Sequence, residues 1–137
     1  MSSLLVGALL ISVTLAVYRN SLNTPFIFDD TSAIEKNLAI RHLVPLRTVL
    51  MPQHEGGLTT GGRPFLNLSF AANYAINGLH VRGYHLINLA IHIGNGLLLF
   101  EIVRRTLLRD VVAKRFGEDA TLLGSAIAIL WLVHRKR

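Results

Sequence analysis

Apolar and polar positions in this 137-residue chain are sorted into blocks rather than mixed along its length. Residues 1–18 carry no charge and read LLVGALLISVTLAV through their middle. As a helix this block rises about 27 Å, close to a hydrocarbon core of about 30 Å. A positive leading region and a small-residue cleavage site, the marks of a signal peptide, are not convincingly present, so the block reads as an uncleaved anchor. Residues 84–103, YHLINLAIHIGNGLLLFEIV, form a second apolar block of 20 residues, and Glu101 near its end is the only formal charge. Residues 120–134 form a third block of 15 residues, short for a full crossing. The pattern predicts an all-α integral membrane fold: transmembrane helices over 1–18 and 84–103, a truncated one over 120–134, a long loop over 19–83 and a basic connection over 104–119.

Within the long loop the pattern is too regular for a linker. Pro25, Phe26, Ile27 and Phe28 make a short apolar run that ends on Asp29 and Asp30. Ser32 and Glu35 fit a capping box, so a helix is expected to begin behind the acidic pair. Pro45 suits the first turn of a short helix over 46–51. Residues 53–62 hold four glycines and read as a mobile loop. Residues 64–77 place Leu66, Phe70, Ala71 and Tyr74 at helical spacing and close on Gly78, a suitable residue just past a helix C-terminus. Such short amphipathic helices suit the membrane interface.

Composition sharpens this picture. Apolar residues make up 51% of the chain and charged residues 16%, against about 25% charged in soluble domains. The absence of cysteine removes disulfides and thiolate metal sites. A net charge of +6 does not imply nucleic acid, because no basic-aromatic patch accompanies it. The cations gather instead after the second block, as Arg104, Arg105, Arg109, Lys114 and Arg115. The positive-inside rule places this short connection in the cytoplasm and the 19–83 loop outside.

Two constellations could carry chemistry. His85, Asn88, His92 and Asn95 are spaced by 3, 4 and 3 residues, so they share one helical face. Polar groups on such a stripe avoid lipid and face a bundle or a watery cavity. They either line a polar pocket, with His85 nearest its outer mouth, or hold helices together by hydrogen bonds. His85 and His92 lie two turns apart, which argues against a metal site. Asp29 and Asp30 stand just beyond the first span. One could take a proton from a hydroxyl while the other orients the site, or both could simply favour a helix N-terminus. Arg63 follows the glycine-rich loop, where a guanidinium could grip a phosphate with two bonds or merely be solvated. Asn67, Leu68 and Ser69 match the glycosylation sequon but lie in an expected helix near the membrane, so the site is expected to be unused.

Three stretches taken together, YRNSLNTPFIFDD, GRPFLNLSFAANYAINGL and GYHLINLAIHIGNGLLLFEIVRRTL, resemble the transmembrane-plus-TPR proteins of the GT-C glycosyltransferase class. That group includes protein O-mannosyltransferases and bacterial relatives, and the wording here is nearer the bacterial kind. The resemblance runs from Tyr18 to about His134, with its motifs in family order. It implies a multi-pass enzyme that moves a mannose-like sugar from a polyprenyl- or dolichyl-phosphate donor to an acceptor protein's hydroxyl outside the cytoplasm. The membrane would be a bacterial plasma membrane, or that of the endoplasmic reticulum if the source is eukaryotic. No resident cofactor is implied, and dependence on a divalent metal stays open.

The family's acidic pair maps onto Asp29 and Asp30 as catalytic residues, and its Arg-Pro element onto Arg63 and Pro64. Arg63, His85 and Asn88 are the expected substrate-binding residues. The implied reaction is inverting, with Asp29 as base because Asp30 is better placed to cap the next helix, and Arg63 steadying the lipid phosphate. Family members continue into further helices and TPR repeats, and usually have His-Pro where this chain reads His134-Arg135-Lys136-Arg137. A truncated or frameshifted product, inactive alone, is therefore expected. A non-catalytic membrane anchor for a TPR-type interaction protein is the alternative. A proton or ion pathway would need a chain of intramembrane carboxylates that the sequence does not have.

Overall fold

The computed structural model describes residues 2–51 and 62–134. The glycine-rich loop expected over 53–62 falls, except for Gly62, outside the described residues, as do Arg135, Lys136 and Arg137. Among the described residues there are helices and turns but no strand. The chain divides into two compact units, Met1–Asn20 with Ile87–Arg137, and Ser21–Leu86.

The first unit contains the apolar helices. Helix α1 (Ser3–Tyr18) begins at Ser2, whose hydroxyl accepts the Leu5 amide at 3.4 Å. Val6, Leu10 and Thr14 recur every fourth residue and are fully buried. Leu4, Leu5, Leu9 and Leu15, on the rest of the surface, stay exposed. A helix that is apolar on every side is built for lipid, not for a half-wet surface. The buried Thr14 hydroxyl is satisfied within the helix, donating to the Leu10 carbonyl at 2.7 Å.

Helix α4 (Val81–Leu107) follows α2 (Leu46–Leu50) and α3 (Pro64–Asn77) in the chain, and its first residues belong to the second unit. Its 27 residues rise about 40 Å. It outruns the apolar block 84–103 at both ends. At its C-terminal end Glu101 accepts bonds from Arg104 at 2.8 Å and Arg105 at 2.7 Å, partners three and four residues on. Those pairs and the favourable position of cations near a helix C-terminus carry the helix past its apolar part. Residues 110–116 form α5 (Asp110–Phe116), so much of the connection expected over 104–119 is helical. Helix α6 (Ala120–Val133) is bent from α5 by 88°.

The core of this unit joins Val6 and Leu10 of α1, Phe100 of α4, and Ala128 and Leu132 of α6. Gly96 is required by this packing, because a Cβ there would stand 2.5 Å from Leu132 Cδ2. Two stretches, Ser3–Asn23 and Val81–Leu107, are long and apolar enough to cross a membrane, and α5 with α6 make a third if counted as one broken span. The all-α membrane architecture read from the sequence is the one observed.

The second unit, Ser21–Leu86, is built from short elements around Ala33, Ile34, Ile40, Val49, Ala71 and Tyr84, with Phe26, Leu68 and Phe70 against them. Helix α3 covers the predicted residues and ends at Gly78, whose φ of +58° suits glycine in the turn that follows. The expected capping box is not formed. Asp30 has φ −64° and ψ −35°, already helical, and its side chain makes no cap bond. Ser32 lies inside the turn and donates to the Asp29 carbonyl at 3.0 Å. An N-cap needs extended backbone, and here the helical turn already includes Asp29 and Asp30, ahead of Ser32.

Candidate functional site

The acidic pair sits where an irregular run gives way to a helical turn. Residues 24–27 have no regular structure, and Phe28 then takes φ +50°. An aromatic residue in the left-handed region is strained by about 1–3 kcal/mol. Phe28 is 90% exposed, so burial of its ring does not explain the strain. The backbone reversal it makes starts the turn on which Asp29 and Asp30 stand. That turn widens over Thr31–Glu35, where the Lys36 amide reaches back to the Thr31 carbonyl at 2.9 Å. Widened helical turns of this kind recur at functional sites.

The two carboxylates differ in surroundings. Asp29 is exposed and Asp30 half-buried. Partial burial pushes the Asp30 carboxyl above the usual carboxylate range. The His85 charge and the Ile27 backbone bond pull it back, while the Asp29 charge adds to the rise. His85 is thus close enough for its charge to be felt by Asp30.

The first residues of α4 hold the run that leads to the pair. Arg82 Nε donates to Asn23 Oδ1 at 2.6 Å. His85 Nε2 lies 2.9 Å from the Thr24 carbonyl oxygen. Because that oxygen can only accept, Nε2 carries the proton. Tyr84 meets Phe26 edge to face at 5.4 Å, and its hydroxyl donates to the Gly78 carbonyl at 3.1 Å.

Behind the turn, polar contacts join it to α3. Asn37 and Asn67 are fully buried and bonded to each other at 2.9 Å. Asn37 also donates to the Ala33 carbonyl at 3.0 Å and accepts the Ala39 amide at 3.1 Å, while Asn67 donates to the Val49 carbonyl. Arg41 donates to the carbonyls of Ile34 and Glu35 and lies 4.6 Å over the Tyr74 ring. Arg63 is exposed at the N-terminus of α3, with Pro64 behind it in the first helical position. Asn67, the sequon asparagine, is held inside by these bonds and closed to a modifying enzyme while the unit is folded.

Of the expected site residues, Asp29, Asp30, Arg63 and His85 fall in the Ser21–Leu86 unit, and Asn88 in the other. Asn88 and Asn95 are exposed on α4. His92, on the same stripe, is used for packing. Its ring stacks on Trp131 at 4.7 Å, meets Tyr18 at 5.3 Å, and its Nε2 bonds the Leu132 carbonyl at 3.0 Å. His85 and His92 thus engage different backbone partners, while Asn88 and Asn95 are exposed. Among the described residues no three His, Asp or Glu side chains gather as a metal site. Arg41, Asn37 and Thr24 carry no marker in the sequence. Asparagines and an arginine scattered through a loop carry no periodic signal, and Thr24 contributes only its backbone oxygen.

No family model and no solved structure matches the chain. Among curated proteins it is 36% identical over 118 residues to the Drosophila melanogaster protein O-mannosyl-transferase Tmtc3, covering 82% of this chain and 12% of that one. It is 35% identical over 103 residues to Drosophila melanogaster protein O-mannosyl-transferase Tmtc1, covering 71% and 12%. It is 33% identical over 102 residues to protein O-mannosyl-transferase TMTC3 of Mus musculus, covering 70% and 11%. The chain thus spans about one-eighth of the length of these relatives. A match over 82% of 137 residues leaves about 25 outside it, so wherever it begins it includes positions 29 to 88. Across the segment that holds the acidic pair, Arg63, His85 and Asn88, the chain is similar to protein O-mannosyl-transferases.

Proposed function

We propose that this chain is the amino-terminal membrane part of a glycosyltransferase that moves mannose from a polyprenyl- or dolichyl-phosphate donor to a protein hydroxyl. The observation that carries the reading is the similarity to protein O-mannosyl-transferases across the whole stretch from Asp29 to Asn88. The strained turn at Phe28 supports it, because strain held beside paired carboxylates suits a position set for chemistry. A membrane anchor for partner-binding repeats needs neither feature.

In this reading Asp29, the carboxylate open to solvent, takes the acceptor's hydroxyl proton as the oxygen attacks the sugar carbon. The bond from that carbon to the phosphate oxygen breaks with inversion, and the lipid phosphate leaves with the electron pair. Asp30 is assigned to positioning, because it caps nothing but is half-buried and feels His85. Arg63 steadies the phosphate charge, aided by the positive end of α3. The basic residues after α4 set the Ser21–Leu86 unit on the non-cytoplasmic side. The relatives named above are animal proteins, which favours the endoplasmic reticulum membrane over a bacterial plasma membrane.

The test is a chimera. Residues 18–134 replace the matched segment of Drosophila Tmtc3, and mannosyl transfer to a serine- and threonine-bearing acceptor is measured in membranes. Transfer from added dolichyl-phosphate mannose, with none from a nucleotide-linked sugar once lipid-linked donor is depleted, is the expected result. Direct use of the nucleotide sugar overturns the donor assignment.

A further inference from the structure

We propose that the first two turns of α4 are a clamp on the segment 23–28, and that His85 is its positioning residue, setting where Asp29 and Asp30 stand. The proposal rests on the reading of the acidic pair as the proton-accepting site, and adds to it how the pair is held.

Three contacts define the clamp. Arg82 holds the Asn23 side chain, His85 holds the Thr24 carbonyl, and Tyr84 packs on Phe26. Each partner lies three to seven residues before the acidic pair, and no other regular element intervenes. The segment has no ladder of its own, and apart from these contacts its backbone is tied by the Thr24 amide bond to the Ser21 carbonyl at 3.2 Å, by Phe26 in the core and by the Asp30 amide bond to the Ile27 carbonyl at 3.1 Å. Holding it matters because Phe28 is strained. A strained residue persists only where its surroundings fix both sides of it. The turn over Thr31–Glu35, tied by Asn37 and Arg41, fixes one side, and the clamp fixes the other.

His85 does more than hold. Its Nε2 proton is committed to Thr24, which fixes the orientation of the ring. A positive charge on the ring strengthens the bond to Thr24 and opposes proton uptake by Asp30. The charged and titratable groups that Asp30 feels are His85 from α4 and Asp29 beside it, with Arg82 and Arg41 engaged by Asn23 and by the turn carbonyls. One imidazole therefore couples the position of the pair to its charge.

The experiment needs no sugar transfer, so it can fail while the glycosyltransferase reading stands, and the reverse. The full 137-residue chain is placed in lipid nanodiscs with isotope-labelled Asp and His. The Asp30 carboxyl carbon is followed against pH, together with exchange of the Asp30 amide. Wild-type protein should show the His85 Nε2 protonated across the titration. His85→Gln keeps a donor for Thr24 but no charge. It should leave amide exchange near its wild-type rate and move the Asp30 midpoint to higher pH. His85→Leu should move the midpoint and also speed exchange by about 5- to 10-fold, as expected for losing one hydrogen bond. An unprotonated Nε2 in wild-type protein, or an Asp30 midpoint that His85→Gln leaves in place, overturns the proposal, and the first measurement needs no variant to fold.

Discussion

Asp30 shows how much a single residue's surroundings alter what its place in the sequence suggests. Burial raises its proton affinity in the folded protein above that in the unfolded chain. A carboxyl shifted in that direction works against folding when ionised. The penalty is absent in acid, where both states hold the proton, appears as pH rises through the ordinary carboxylate range, and is complete above the folded midpoint. Asp30→Asn should therefore unfold less readily than wild type at neutral pH, with the difference vanishing in acid. Thermal unfolding in nanodiscs at several pH values reads this directly, and a variant less stable at neutral pH would contradict it. The sequence reveals the pair but not this asymmetry. Two adjacent aspartates look alike until the fold half-buries one within reach of the His85 charge and leaves the other in water. The sequon is a similar case: its tripeptide is plain to read, but only the fold shows Asn67 bonded to Asn37 and Val49.

At the scale of elements, apolar blocks are the legible part. Helix α3 has the predicted bounds because proline at its start and glycine past its end are local signals. The apolar block understates α4 at both ends. Apolar runs report which residues sit in lipid, whereas helices continue wherever backbone bonds are met, as the Glu101 pairs with Arg104 and Arg105 allow. The capping box does not form because the pattern of Ser32 and Glu35 is also compatible with a turn that starts earlier. Packing between helices is not visible in the pattern either. Gly96 reads as a helix-weakening residue, yet it is where Leu132 of α6 meets α4. Gly96→Leu should force these helices apart and cost about 1–3 kcal/mol, the usual range for overpacking. Trp131 is the chain's single tryptophan, and its quenching by lipid-borne bromine reports the change in α6. Unaltered quenching and unaltered thermal stability in Gly96→Leu would refute the packing role.

For the whole molecule, the proposed topology puts position 44 on the non-cytoplasmic face and position 111 in the cytoplasm. The chain has no cysteine, so single cysteines at Val44 and Val111, both well exposed, can be labelled against no background. In sealed vesicles of known orientation, an impermeant thiol reagent should reach position 44 from the non-cytoplasmic face and position 111 only from the cytoplasmic one. The reverse pattern would overturn the proposed orientation. The proposed role of Asp29, taking the acceptor's proton, can be measured in the chimera with Drosophila Tmtc3. Asp29→Asn keeps the size and most hydrogen bonding but removes the base. At saturating lipid donor, with membrane insertion checked, its transfer rate should fall by about 10²–10⁴-fold. A properly inserted Asp29→Asn chimera that transfers mannose at the unsubstituted rate would show that Asp29 is not the base.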